Sequence, residues 1–576
     1  MIGIGASPGI AIGKAFVLNH QEINVSIEKI KKAEIVTELE KLQVAVEKSK
    51  EQLESIIEKT YIKLGSSEAM IFKAQLLILE DPEFIGQIKY IIETQLDNAA
   101  LATKKTYHKF ACVFDNMKDE YIKERAADIK DVGTRIIKNL LGIQSFDLGS
   151  IDEESIIIAH DLSPSDTMQL NKEKVLGFGT DIGGVTSHIA IMAKSIEIPA
   201  VLGAGNITSQ VKAGDLIILD GVAGRIFVNP KEEMIDKYRK KIEEYNLYIK
   251  ELQKLKDLPA ETKDGHRVKI TGNIGMPKEV DGVINNGGQG IGLYRTEFLY
   301  MNRDTYPSEE EQFRAYRDVL LRMKGKPIII RTLDIGGDKS TSCLNLPQEK
   351  NPFLGFRAIR LSLGEEEIFK EQLRAILRAS VFGQASIMYP MITGIDEVKQ
   401  ANALLEEAKK ELDAKNIPYD MDIKVGIMIE TPSAALTADI IAREVEFFSI
   451  GTNDLCQYTL AVDRINENVS YLYQPFHPAI LRLIKNIIDI SKHRGITIGM
   501  CGEMAGDPMS ILILLGFGLR EFSMSPQSIP QIKEIIRSVT LKQAQNIAQE
   551  ALSLTNPDEI KDMIIKKLNT LNIKTM

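Results

Sequence analysis

The chain has 576 residues, more than one hydrophobic core can serve, so about three or four domains are expected. Hydrophobic residues make up 44% and charged residues 26%, an ordinary globular balance. The net charge of −9 comes with no Lys/Arg run, which argues against a nucleic-acid binder but leaves room for a local arginine cluster that takes an anionic substrate. The four cysteines (Cys112, Cys343, Cys456 and Cys501) lie far apart with no CxxC pair, which speaks against a disulfide framework or a zinc site. The glycine-broken N-terminus has no basic region and does not read as a signal peptide. No apolar stretch approaches the roughly 20 residues of a membrane span. A soluble, cytoplasmic protein is expected.

Residues 1–20 read as short strands broken by Gly3, Gly5, Gly9 and Gly13. From Ala33 the apolar residues Ile35, Leu39, Leu42, Val46, Leu53, Ile57 and Leu64 take three-four spacing, and Tyr107, Phe110, Phe114, Met117 and Tyr121 repeat it. Residues 33–143 are therefore expected to be a helical unit of paired hairpins, without a catalytic motif of its own. The β-rich runs Ser155–Ala159, Val175–Phe178, Ala200–Leu202, Leu216–Asp220 and Arg225–Val228 sit between glycine turns. They make an α/β segment that can pack with the N-terminal strands and leave the helical unit as an insertion. Residues 231–256, rich in Lys and Glu, read as a linker helix.

The remainder is long enough for a TIM barrel. Eight apolar runs can be picked out: Val268–Thr271, Ile291–Leu293, Ile328–Ile330, Ile387–Met388, Val425–Ile429, Phe447–Ile450, Thr497–Met500 and Glu521–Ser523. Nearly every run ends on polar or special residues: Asn273, Arg295, Arg331 with Asp334, Tyr389-Pro390, Glu430, Asn453-Asp454, and Cys501 with Glu503. A barrel builds its active site at the C-terminal ends of its strands, so one ring of functional groups is expected there. A doubly wound sheet would give a similar alternation; eight consecutive repeats favour the barrel.

Four sets of residues carry chemistry. Gly183-Gly184-Val185-Thr186-Ser187-His188 opens a helix, with Thr186 or Ser187 as its cap and His188 in the first turn. Unpaired backbone N–H groups there favour an anion and disfavour imidazolium, which suits a neutral nucleophile that will carry a phosphate. The plainer alternative is a capped helix with a polar surface histidine. Arg295 and Arg331 close successive strands, and Arg357 and Arg464 add two more forked donors for phosphate and carboxylate, although each arginine alone reads equally as a surface ion pair. Glu430 and Asp454 at neighbouring strand ends offer two hard oxygen ligands suited to Mg²⁺, the alternatives being a buried ion pair and a helix cap. Cys501 stands where a nucleophile or a proton donor could act. With no adjacent His or Lys in sequence to lower its pKa, the neutral thiol acting as an acid is the better reading, and Cys112, Cys343 and Cys456 read as ordinary buried cysteines.

Together these stretches resemble Enzyme I of the bacterial phosphotransferase system, the phosphoenolpyruvate–protein phosphotransferase family. Residues 119–128 in the helical unit, Leu162-Ser163-Pro164-Ser165, the His188 motif, Asn351 to Arg357 and the barrel motifs carry the resemblance over essentially the whole chain. It implies a multidomain α/β protein. An α/β swivelling phosphohistidine domain (1–20 and 144–230) would hold an inserted all-α domain (21–143) that binds the histidine-containing carrier protein HPr. A linker helix (231–257) would lead to a (β/α)8 TIM barrel (258–576) that binds phosphoenolpyruvate and forms a homodimer. By motif, His188 is implied as the phosphorylated residue with Thr167 as its hydrogen-bond partner. Arg295, Arg331, Asn453, Asp454 and Arg464 are implied for phosphoenolpyruvate, supported by Arg357; Glu430 and Asp454 are implied for Mg²⁺, and Cys501 for protonating the enolate. The resemblance implies no nucleic-acid partner and no membrane insertion. Two positions depart from the family pattern: Val185, where an arginine is frequent, and Gln75, where a histidine is common. The barrel and His188 motifs are also similar to those of pyruvate phosphate dikinase and phosphoenolpyruvate synthase, but no separate nucleotide-binding domain fits this chain. A non-catalytic sensor of phosphoenolpyruvate would not need the full set of nucleophile, arginines, carboxylates and thiol.

Overall fold

The computed structural model describes residues 1–18, 25–63, 66–115, 120–143, 151, 153–162, 174–183, 193, 198–300, 303, 305–336, 349–464, 466, 468–571 and 573. His188, Thr167, Val185, Cys343 and Met117 lie outside them. The chain forms two compact units, Met1–Leu247 and Tyr248–Met576.

In the first unit the described strands β1 (Ile4–Ser7), β2 (Ile10–Leu18), β3 (Ser155–Ala159), β4 (Val175–Thr180), β5 (Ala200–Leu202), β6 (Leu216–Asp220) and β7 (Arg225–Val228) form one sheet in the order β1-β5-β4-β3-β2-β6-β7. Neighbours β2 and β3 run parallel from the Lys14–Ser155 pair to the Leu18–Ala159 pair, although more than a hundred residues separate them in the chain. The helices α1 (Ile35–Lys63), α2 (Ser66–Glu80), α3 (Pro82–Gln95), α4 (Ala99–Asp115) and α5 (Glu120–Leu140) fill that interval, so the all-α part is an insertion between paired strands. The central strand β3 is buried along its whole length, and its two faces feed separate apolar clusters, one around Ile157 and Phe178, the other around Ile156 and Ile158. A strand covered on both sides needs a continuous apolar run, which Ser155–Ala159 supplies.

The inserted helices close on their own core. Leu42, Val46 and Leu53 of α1 are buried against Phe84, Ile88 and Ile92 of α3 and Ile129, Val132 and Ile136 of α5. Capping is shared between helices: Glu38 of α1 accepts the N–H of Ala99 at the start of α4 at 2.8 Å, satisfying a donor the helix cannot satisfy itself. Asp97, buried, receives both Lys29 and Lys105 at 2.6 Å. Gly133 on α5 lets that helix approach the Tyr107 ring of α4; a Cβ there would lie 2.4 Å from it. Cys112 is exposed on α4, against the expectation of a buried cysteine, because it falls outside the three-four register of residues that face the helical core.

Helix α6 (Glu232–Lys254) follows; its Ile235 and Tyr238 pack on Ile218. In the second unit β8 (Lys269–Ile274), β9 (Ile291–Arg295), β10 (Ile328–Arg331), β11 (Ala385–Tyr389), β12 (Lys424–Ile429), β13 (Phe447–Ile450), β14 (Thr497–Met500) and β15 (Glu521–Met524) pair in parallel and close into a barrel through β15 and β8. Closure settles the choice against a doubly wound sheet. All eight apolar runs form strands, with ends shifted by a few residues. The largest difference is at β8, which runs on to Ile274, so Asn273 sits inside the strand and not beyond it. Outside the barrel, strands and helices share one large apolar core. Inside, Leu293, Met388, Met428 and Phe447 pack beside Cys501.

Phe84 is fully buried, with Phe110 edge-on at 5.5 Å and 85°. Phe84→Ala should cost about 3–5 kcal/mol, the usual price of emptying an aromatic site in a core. The loss is expected in the melting of the helical part followed by circular dichroism, with the barrel transition unchanged.

Candidate active site

The barrel mouth is built from side chains that follow the strands. Arg331, the last residue of β10, is buried. Its Nη2 lies 2.6 Å from Glu297, just past β9, and its Nη1 lies 3.0 Å from Asp334. Arg357, also buried, reaches the other oxygen of Asp334 at 2.9 Å, the Tyr458 hydroxyl at 3.2 Å and Asp454 at 3.8 Å. Close packing forces the backbone here: Gly336 has φ +111, and a Cβ on it would meet the Arg357 Cβ at 2.4 Å. Burial opposes the charge on both guanidinium groups, but the surrounding carboxylates win and raise their pKa values: Glu297, Asp334 and Glu430 for Arg331, Asp334 and Asp454 for Arg357. Each keeps a buried Nε with no hydrogen-bond partner among the described residues. Unsatisfied donors on two fixed cations are what an anionic ligand would use.

Glu430 follows β12 directly and is buried. Its Oε1 accepts the Met391 N–H at 2.6 Å, and Met391 holds φ +56, a conformation rare for a residue with a side chain. Burial, and then the charges of Asp454 and Asp334, push Glu430 up to about 8, against the opposing pull of Arg331 and of the Met391 N–H. Asp454 stands in the first turn of the helix Thr452–Leu460. Among the described residues no group of three or more His, Cys, Asp or Glu side chains is disposed to hold a metal. Glu430 and Asp454 nevertheless fit Mg²⁺: they are two hard oxygen donors under mutual repulsion, and this ion takes one or two carboxylates and completes its shell with substrate oxygens and water.

Cys501 comes immediately after β14 and is buried. Burial pushes its thiol up, while the Ser449 hydroxyl and the charges of Arg331 and Arg295 pull it down and Glu430 adds to the rise. The net direction is upward, as expected of a thiol shielded from water, and favours the protonated form. Arg295 is half-buried at the end of β9 and acts on Cys501 through its charge. Asn453 is turned to Glu503: its Nδ2 donates to Oε1 at 3.0 Å, and its Oδ1 accepts the Glu503 N–H at 3.2 Å. Arg464 is half-buried past the helix Thr452–Leu460, its N–H on Gln457 Oε1 at 3.2 Å.

Arg295, Arg331, Arg357, Glu430, Asp454 and Cys501 are therefore brought together at one end of one barrel, linked by contacts or by charge. The sequence reading assigned no role to Glu297, Tyr458 or Ser449. The signal for Glu297 was present: a carboxylate two residues beyond Arg295, just ahead of the apolar Phe298-Leu299-Tyr300.

Residues 249–541 match the PEP-utilising enzyme, PEP-binding domain; residues 2–125 match the PEP-utilising enzyme, N-terminal family; residues 151–224 match the PEP-utilising enzyme, mobile domain. The phosphoenolpyruvate-protein phosphotransferase of Staphylococcus carnosus is 50% identical over 98% of both chains, and that of Priestia megaterium 51% identical over 98% of both. The Haemophilus influenzae protein of the same name is 49% identical over 99% of this chain and all of its own. This chain belongs to the phosphoenolpyruvate-protein phosphotransferase family. It is a transferase of the phosphotransferase system, and phosphoenolpyruvate is the substrate its barrel is built to receive. No helix among the described residues is long and apolar enough to cross a membrane.

Asp334 pairs with two buried guanidinium groups at once. Asp334→Ala should destabilise the barrel by about 3–5 kcal/mol, because each arginine loses a buried partner. Urea denaturation followed by circular dichroism, the chain having no tryptophan, checks the loss.

Proposed function

We propose that phosphoenolpyruvate phosphorylates His188 and that the phosphoryl group then passes to the carrier protein HPr, the first step of sugar uptake by the phosphotransferase system. The observation that carries this reading is the pair of buried arginines, each with an uncommitted Nε, set beside two repelling carboxylates and a neutral thiol. Arg295, Arg331 and Arg464, with Asn453, Asp454 and the support of Arg357, bind and orient the substrate phosphate and carboxylate through forked donors. Glu430 and Asp454 hold Mg²⁺, which when bound supplies positive charge for the phosphoryl oxygens. The neutral imidazole of His188, hydrogen-bonded by Thr167, attacks phosphorus in line; the bond from phosphorus to the enol oxygen breaks and enolpyruvate leaves. Cys501 then gives its proton to the methylene carbon. The enolate pair forms the new C–H bond, the S–H pair stays on sulfur, and pyruvate is released, which draws the transfer forward.

The division of labour follows the chain. Residues 1–20 and 144–230 carry His188, residues 21–143 dock HPr, and residues 258–576 bind phosphoenolpyruvate and form the homodimer. Residues 231–257 act as the hinge on which His188 moves from loading to delivery. The protein works in the cytoplasm. The departures at Val185 and Gln75 bear on docking and carrier preference, not on the chemistry. Gln75 is buried, its Nε2 on Asp128 Oδ1 at 3.1 Å.

With phosphoenolpyruvate and Mg²⁺, intact-mass analysis should show one acid-labile phosphate on the wild-type chain and none on His188→Ala. A full adduct on the variant would remove the assignment.

Glu430→Ala and Asp454→Ala should each lose phosphorylation from phosphoenolpyruvate by several hundred-fold or more, on the order of removing a main charge-stabilising group. Both should keep transfer back from phosphorylated HPr, which does not use the barrel. Loss of both transfers in folded variants would show that the two sites are not separate.

A further inference from the structure

We propose that Ser449 is a positioning residue for Cys501: its hydroxyl holds the sulfur in place for protonation of the enolate and stabilises the negative charge left on it. This rests on the reading of Cys501 as the proton donor.

Three contacts carry the proposal. The Ser449 hydroxyl, buried within the barrel on β13, donates to Cys501 Sγ at 3.2 Å. The Cys501 carbonyl accepts Asn273 Nδ2 at 3.0 Å, and Asn273 Oδ1 in turn accepts the Ser523 hydroxyl at 2.6 Å. The Cys501 N–H donates to the Ile450 carbonyl at 3.2 Å. The backbone of the cysteine is thus held on both sides, and the sulfur itself is held by one hydroxyl. With the Ser449 hydroxyl donating, the acceptor shown for the thiol's own proton among the described residues is the Ile450 carbonyl at 4.0 Å, the outer limit for sulfur. With Ser449 occupying one lone pair, the S–H remains available to a substrate carbon.

The location gives the hydroxyl a reason to be there. Phe447 and Ser449 alternate with Phe448 and Ile450 along β13, so both face the barrel interior, where Leu293, Met388 and Met428 surround the sulfur. Barrel interiors are ordinarily filled by branched apolar side chains. A serine at this register sacrifices apolar packing and places one donor on the protein atom that gains negative charge in the protonation step. When the S–H bond breaks, its electron pair stays on sulfur and the proton forms the C–H bond of pyruvate. The Ser449 O–H then faces a thiolate, and the hydrogen bond becomes charge-assisted and stronger. Water returns the proton to sulfur before the next cycle. An interaction that strengthens as charge develops lowers the barrier of the protonation step and leaves substrate binding unchanged.

The test uses the full chain with Mg²⁺ and phosphoenolpyruvate labelled stereospecifically at its methylene carbon, in deuterated water. Ser449→Ala should phosphorylate His188 in a single turnover at the wild-type rate and with unchanged substrate affinity. Its conversion of enolpyruvate to pyruvate should fall about 10-fold, the worth of one hydrogen bond to a charged atom, and part of the pyruvate should lose its stereochemistry. Ser449→Thr keeps the hydroxyl, and the cavity of about 40 Å³ lined by Ser449, Gly499, Glu521 and Ser523 gives room for the added methyl, so it should restore both rate and stereochemistry. Cys501→Ala is measured in parallel and should lose stereospecific protonation entirely, with a rate loss of about 10²–10⁴-fold. If Ser449→Ala protonates at the wild-type rate and stereospecificity while Cys501→Ala does not, the role of Ser449 is refuted and that of Cys501 stands. If Cys501→Ala keeps both, the proton donor is another group and the proposal is overturned together with the reading it rests on. Equal losses in binding, phosphorylation and protonation for Ser449→Ala, without rescue by Ser449→Thr, would mean that the serine only supports the fold.

Discussion

Asp334 lies between two arginines, one oxygen 3.0 Å from Arg331 and the other 2.9 Å from Arg357, and the barrel mouth is arranged around that shared carboxylate. A guanidinium cannot be buried alone; the desolvation cost is several kcal/mol, and only ion pairing with good hydrogen bonds offsets it. Glu297 covers the far side of Arg331 at 2.6 Å, and Tyr458 and Asp454 cover Arg357. The backbone accommodates the pairing, with Gly336 at φ +111 and Ala358 at φ +51 on either side of the approach to Arg357. Such conformations persist where the surroundings over-determine them, as at a site that must present fixed charges.

The same cluster explains why the other groups behave as they do. Burial draws the Cys501 thiol up and Glu430 adds to the rise, against the Ser449 hydroxyl and the charges of Arg331 and Arg295, and the net direction is upward. Glu430 is pressed upward by burial and by Asp454 and Asp334, against the pull of Arg331 and the Met391 N–H. In the proposed function, one network of alternating charges serves the anion site, the cation site and the neutral acid within a single ring of strand ends. Each effect is largest because water is excluded and the charges interact across a medium of low dielectric.

The inserted helical unit obeys a different constraint. It hangs between β2 and β3, which pair as though they were consecutive, so the sheet does not need the helices to set its register. Its own core, the shared cap at Glu38 and the ion pairs of Asp97 let it hold its shape as a body with separate packing.

Periodicity in the sequence was sufficient for the strands and helices. Val425–Ile429 and Phe447–Ile450 form strands, and Leu42, Val46 and Leu53 face a helical core, because side-chain spacing is a local property that burial then enforces. The strand-end residues Arg295, Arg331, Glu430 and Cys501 were legible for the same reason: a polar residue that stops an apolar run is visible in one dimension. What could not be read was partnership. That Asp334 serves two arginines, that Glu297 pairs with Arg331 across 34 positions, and that Ser449 meets Cys501 across 52 depend on strand order and on closure of the barrel. The exposure of Cys112 depended likewise on which side of α4 meets the other helices. Sequence determines which groups are present and which face of an element carries them. Only the tertiary structure decides which charges become neighbours, because Coulomb and hydrogen-bond energies follow distance through space and not separation along the chain.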